Sequence, residues 1–185
     1  MLKIHFLGNA RNCFNRHYHP VRVNKKALRE NGIKIRFFPS PLIPGIENCD
    51  ALVMFADGYR NILPIREKSR KAAIQYLSEF FAKFDWVVWF DDHDSSGMLE
   101  PEVFPIVDVY AKAQILKDRS YYLKPHHIGI PHRDYVYEQF GIEDRPSFKG
   151  AITQKDLDKL RLGWNLSLID WNYYYAGSKL KKLWQ

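Results

Sequence analysis

Short apolar runs alternate with helical patterns from the first residues onward, and this alternation restricts the chain to few architectures. Leu2–Leu7 is apolar apart from Lys3 and His5 and runs into Gly8 and Asn9. Ile33–Phe38 closes on Pro39, Ser40 and Pro41, and Ala51–Phe55 closes on Asp57 and Gly58. Residues 86–90 form a run of Val and aromatics, and residues 107–111 form a fifth run. Between them lie helical signals. Pro20 suits a first helical turn and Asn31-Gly32 a helix stop. Over residues 67–84, Ala73, Leu77, Phe80 and Phe84 fall on one helical face. A helix is expected near residues 132–140 with Gly141 past its end. Thr153 and Asp156 form a capping-box variant before Leu157 and Leu160, with Gly163 as the stop. Strands alternating with helices predict a Rossmann-like three-layer α/β/α domain with a mostly parallel sheet. Residues 1–185 are read as that single domain, with 171–185 a terminal aromatic and basic segment.

Function in such folds concentrates outside the carboxyl ends of the strands. The fourth run ends in Asp91, Asp92, His93 and Asp94, followed by Ser95, Ser96 and Gly97. Two readings fit: a carboxylate and imidazole cluster at a ligand site, or an ordinary turn whose Asp caps the next segment. As a site, Asp92 and Asp94 could share a divalent cation. Alternatively, His93 or an Asp could serve as a general base toward an acceptor hydroxyl.

The first loop holds Gly8 and Asn9 with Arg11, Arg16, His17 and His19 beside them, a place where a ligand could approach the backbone. The dinucleotide fingerprint and the phosphate-gripping loop are both missing, which argues against NAD and ATP chemistry. Residues 1–40 carry nine Lys or Arg against the single acid Glu30, a charge of +8 within a chain of net charge +7. That asymmetry favours an anionic partner: a phosphate, an acidic glycan, a lipid surface or a nucleic acid. The aromatic share of 15% suits carbohydrate or base stacking, and equally an aromatic core.

Cys13 and Cys49 lack metal-ligand spacing and read as thiols of a reducing compartment. His126, His127 and His132 read as ordinary loop histidines. Tyr173, Tyr174 and Tyr175 with Lys179, Lys181, Lys182 and Trp184 suit a docked terminal helix or an interfacial patch. With no apolar segment of membrane-spanning length and no leader pattern at Met1, the expected location is cytoplasmic, with contact at the inner membrane face as an option.

The run WFDDHDSSG, continued by EVFPIVDVYAKAQILKDRSYYLKP and then DLDKLRLGWNLSLIDW, resembles the amino-terminal half of bacterial family-1-like glycosyltransferases of surface polysaccharide biosynthesis. The matching segments are residues 91–97, 108–121 and 159–165, spread over most of 86–172. The resemblance implies one half of a two-domain GT-B fold, whose amino-terminal domain holds the acceptor and whose carboxy-terminal domain holds a nucleotide-sugar donor. Catalysis in the cleft between them needs no obligatory metal and no cofactor. Residues 91–94 would lie near that cleft, with Asp92, His93 and Asp94 catalytic. The substrate-contacting set would be Asp91, Ser95 and Ser96, with Gly8, Asn9, Arg11, His17 and His19 of the first loop. Lys112, Lys117 and Arg119 match the second motif, as a phosphate grip or a salt-bridged structural network.

The chain stops near one domain's length, so the donor half is expected elsewhere: removed, on a partner chain, or lost. The implied function is acceptor binding for transfer of a sugar to a glycan or lipid-linked glycan. The alternatives are a non-catalytic glycan- or protein-binding module and a metal-dependent GT-A-type transferase using Asp92 and Asp94. Nucleic acid ranks last, since no recognition motif accompanies the charge.

Overall fold

The computed structural model describes residues 1–8, 17–56, 59–66, 69–93, 96–124, 126–127, 136–137, 139–141, 148–149 and 151–164. Among the described residues, strands and α-helices run in the order β1 (Leu2–Leu7), α1 (His19–Val23), α2 (Lys25–Glu30), β2 (Ile33–Phe38), β3 (Ala51–Phe55), α3 (Tyr59–Ile62), α4 (Arg70–Phe81), β4 (Val87–Asp91), β5 (Val109–Lys112), β6 (His126–His127), β7 (Phe148–Lys149), α5 (Gln154–Leu157) and β8 (Leu160–Leu162). Two 3-10 helices, Pro101–Ile106 and Arg119–Leu123, flank β5. Six strands form one parallel sheet in the order β2-β1-β3-β4-β5-β8, and β6 pairs with β7 in a separate antiparallel ribbon. The main sheet with helices on both faces makes this a Rossmann-like α/β domain.

The central strands β3 and β4 are apolar up to Asp91 because both their faces are covered, whereas edge strand β2 exposes Lys34 and Arg36. Side chains alternate across the sheet. Leu52, Met54, Val87, Trp89 and Tyr110 share a core with Ala73, Leu77, Phe80 and Phe81 of α4 and with Val103 and Phe104 of the first 3-10 helix. Phe6, Ile35, Val53, Phe55, Phe90 and Ala111 face the other way, packed by Tyr18, Val21, Leu28 and Trp164. Burying each large side chain contributes roughly 1.5–3 kcal/mol.

α4 begins where Ser69 accepts the Ala72 amide at 3.2 Å, a side-chain N-cap. The helix is shorter at both ends than the expected 67–84, although Ala73, Leu77 and Phe80 are buried and Phe84 packs at the core margin. The capping box at Thr153 forms as expected. The residues after it depart from expectation. The helix ends at Leu157, and Leu160 enters the sheet edge as β8, paired with Tyr110. Gly163 therefore stops no helix. A Cβ there would lie 2.8 Å from the Phe90 ring, so the residue must be small where it packs against that ring. Residues 136–137 and 139–140 are helical and Gly141 has φ +59°. Residues 171–185, Cys13 and His132 lie outside the described residues.

The connection from β2 passes over β1 to reach β3, and the chain then proceeds outward through β4, β5 and β8. This reversal puts the topological switch between β1 and β3, and the carboxyl ends of β1, β3 and β4 open on one edge of the sheet. Among the described residues, no helix is long and apolar enough to cross a membrane.

Candidate functional site

β4 delivers Asp91 to the carboxyl edge, and the parallel register with β5 sets Lys112 beside Asp91 and Tyr110 beside Trp89. Asp91, Lys112 and Tyr110 are each 0% exposed. Asp91 Oδ2 accepts hydrogen bonds from Tyr110 Oη at 2.6 Å and Lys112 Nζ at 3.1 Å. Its Oδ1 accepts the His93 backbone N–H at 3.1 Å and His93 Nδ1 at 2.9 Å. Tyr110 Oη in turn accepts the Glu100 N–H at 3.0 Å, and its ring stacks on Phe104 at 4.2 Å.

An ionised carboxylate only accepts hydrogen bonds. With Asp91 ionised, the bonding therefore assigns the imidazole proton to Nδ1 and leaves Nε2 as the basic nitrogen. Burial opposes ionisation of Asp91 and is the largest single influence. His93, Lys112 and Tyr110 together outweigh it and hold the carboxyl below its ordinary range. His93 is shifted up, chiefly by the bond to Asp91. Burial opposes this, while the charges of Asp91, Glu100 and Asp92 add to it. The outcome is a His–Asp dyad at a strand's carboxyl end, its imidazole side chain 34% exposed and its carboxylate sealed.

The second motif holds this corner together. Asp118 caps the 3-10 helix Arg119–Leu123 by accepting from Ser120 N at 3.0 Å and Ser120 Oγ at 2.6 Å. That positions Tyr122, whose hydroxyl donates to the Ser96 carbonyl and accepts the Leu116 amide at 2.9 Å. The turn after His93 is thereby tied to the helix. Beyond it, Arg70 Nη2 donates to Glu102 Oε2 at 2.7 Å and lies 3.8 Å from Glu100 Oε2.

The expected site residues separate into distinct groups. Asp91, Asp92 and His93 follow one another at the end of β4, and the Ser96 carbonyl accepts from Tyr122 Oη. Asp91 and Lys112, both expected to contact substrate, are sealed from solvent and bound to each other. Arg119 Nη1 points to the Leu160 carbonyl at 3.4 Å, a tie to the sheet edge, and Lys117 is exposed.

Gly8 has a structural requirement of its own. A Cβ there would meet Tyr18 Oη at 1.4 Å, so the space expected for a ligand is filled by the Tyr18 ring. His17 is buried, its carbonyl accepting Trp164 Nε1 at 2.7 Å and its ring 5.7 Å from Phe90. His19 opens α1, half-buried. Asn9, Arg11, Asp94 and Ser95 lie outside the described residues.

Tyr110, Tyr122 and Glu100 belong to this corner and were not singled out from the sequence. A sequence signal exists for Tyr110 alone: it stands two residues before Lys112 in one strand, so the two share a face. Compared with known proteins, the chain matches no family model and no curated protein.

Proposed function

We propose that this chain is the acceptor-side domain of a glycosyltransferase, with His93 as the general base for sugar transfer to a glycan or lipid-linked glycan. The observation that carries the reading is the 2.9 Å bond from His93 Nδ1 to buried Asp91, which leaves Nε2 as a proton acceptor at the carboxyl edge of the sheet. The resemblance of residues 86–172 to glycosyltransferases supports it, as do the basic first forty residues.

In the step envisaged, an acceptor hydroxyl donates its hydrogen bond to Nε2. Its oxygen forms the bond to the anomeric carbon of a nucleotide sugar held by a separate donor domain. The bond to the nucleotide diphosphate breaks, the diphosphate leaves with the electron pair, and the hydroxyl proton passes to Nε2. Asp91 then stabilises the imidazolium, as carboxylates do behind catalytic histidines. The upward shift of His93 makes it a stronger base, usable at pH values where it is still deprotonated. Asp92 adds negative charge beside the imidazole and deepens that effect.

The test is ligand-observed NMR of the 185-residue chain with a panel of oligosaccharide and polyprenyl-linked acceptors, and separately with nucleotide sugars with and without manganese. The reading expects acceptor binding that weakens in His93→Ala and no dependence on manganese. Manganese-dependent nucleotide-sugar binding would refute it in favour of a donor site at Asp92 and Asp94. The complete burial of Lys112 against Asp91 favours one further reading, a non-catalytic binding module in which the same bonds only close the sheet edge. Acceptor binding indifferent to His93→Ala would support that module.

A further inference from the structure

Lys112 is a wholly buried cation whose bonded partner is the carboxylate that orients His93, and that geometry gives it a role beyond packing. We infer that Lys112, assisted by Tyr110, is a positioning residue that occupies and neutralises Asp91 Oδ2, so that the dyad can carry an uncharged imidazole with its proton on Nδ1. As a claim about catalysis this rests on the reading of His93 as a base; as a claim about the imidazole it stands alone.

Charge must balance around a carboxylate that is sealed from solvent. Asp91 divides its two oxygens between two sets of donors: Oδ1 serves the His93 ring and backbone, and Oδ2 serves Lys112 Nζ and Tyr110 Oη. A buried carboxylate is stable only when paired and fully hydrogen-bonded. With Lys112 present, the pair Asp91 and Lys112 is neutral, and His93 can lose its proton without leaving an uncompensated buried anion. Without Lys112, protonated His93 would be the nearest counter-charge to Asp91 and would hold its proton to higher pH. Tyr110 is fixed in its task from both sides. Its ring lies parallel to Phe104, and the Glu100 amide donates to the same oxygen whose proton goes to Asp91.

The other charged groups around His93 do not substitute for Lys112. On its own segment stand Asp91 and Asp92, from the following loop comes Glu100, and all three favour the protonated ring. From β5 come Lys112 and Tyr110, and from the second 3-10 helix Tyr122, tied to the Ser96 carbonyl. From α4, Arg70 is engaged with Glu100 and Glu102. Lys112 is therefore the cation bonded directly to the dyad among the described residues.

The experiment tracks the His93 ring by two-dimensional 1H–15N NMR across pH in the full chain, as wild type, Lys112→Met, Tyr110→Phe and Asp91→Asn/Lys112→Met. The inference expects the proton on Nδ1 in the neutral wild-type ring. It expects the titration midpoint to rise by roughly one pH unit or more in Lys112→Met and by a few tenths in Tyr110→Phe. In the double variant, which removes both charges, the midpoint should fall below that of the wild type. Should Lys112→Met fail to fold, Tyr110→Phe, which keeps the stack on Phe104, and the charge-free double variant decide. An unmoved or lowered midpoint in a folded single variant, or an Nε2-protonated neutral ring in the wild type, overturns the inference. The readout needs no glycan, so missing acceptor binding would sink the proposed function and leave this result standing, and the reverse.

Discussion

Replacing Asp91 with Ala should be among the most destabilising single changes in the domain. The substitution removes the acceptor of four hydrogen bonds, from His93 N, His93 Nδ1, Tyr110 Oη and Lys112 Nζ. It also strands Lys112, 0% exposed, without its counter-charge. Breaking a buried ion pair from one side costs about 3–5 kcal/mol, because the remaining charge is left uncompensated. Against a total stability of about 5–15 kcal/mol, the variant would be marginal. At about 2–4 °C per kcal/mol for a domain of this size, the melting temperature should drop by roughly 6–20 °C.

Urea denaturation followed by circular dichroism, applied to Asp91→Ala, Lys112→Met and the double variant, completes a thermodynamic cycle. The double variant should be less destabilised than the sum of the singles by at least ~1 kcal/mol, since it leaves no orphaned charge. Additive single effects, or a loss below ~1 kcal/mol for Asp91→Ala, would show that the two groups are not a coupled buried pair.

Elsewhere in the domain, Gly8→Ala places a methyl 1.4 Å from Tyr18 Oη and should cost about 1–3 kcal/mol as the ring is driven from its seat against Phe55. Tyr18→Phe should relieve this only in part, because Cζ is still 2.6 Å away, and thermal melts of the single and double variants check it. Ser69→Ala removes the cap of α4 and should cost about 1 kcal/mol by urea denaturation. Stability should also depend on pH from both sides of the dyad. Asp91, lowered from 3.8, contributes stability that is complete above that value and lost as pH falls through its depressed folded value. His93, raised from 6.5, contributes stability that is complete below that value and lost as pH rises through its elevated folded value. A urea midpoint measured across pH should lose the upper limb in His93→Gln, and retention of that limb would assign it to another group.

Much of the frame was legible in the residues. β1, β2 and β3 fall where their apolar runs and closing Pro, Asp and Gly residues place them; β3, in the sheet interior, is apolar along its length because both its faces are covered, while edge strand β2 alternates exposed Lys34 and Arg36 with apolar residues. α4 was legible for a related reason: Ala73, Leu77 and Phe80 recur at helical spacing, and only the ends shifted, to where Ser69 supplies a cap. Residues 160–162 were misread. Leu157 and Leu160 keep helical spacing, but three residues of free sheet edge beside β5 outcompeted another helical turn, and local pattern carries no information about an open edge.

Of the site, the chain alone determined its functional groups and their address: carboxylates and an imidazole at the end of an apolar strand, although Trp86 at the start of that run is 57% exposed. It could not determine which of those groups reach solvent and which are sealed in the core, because that depends on register. The pairing of β4 with β5 turns Lys112 from a surface cation into the buried partner of Asp91, and brings Tyr110 to the same oxygen from nineteen residues away. A one-residue slip would send both side chains to the opposite face of the sheet. Composition and spacing thus settled which functional groups the molecule possesses. Only the tertiary fold, by excluding water from one carboxylate and giving each of its oxygens two donors, decided that the His93 ring is held through Nδ1.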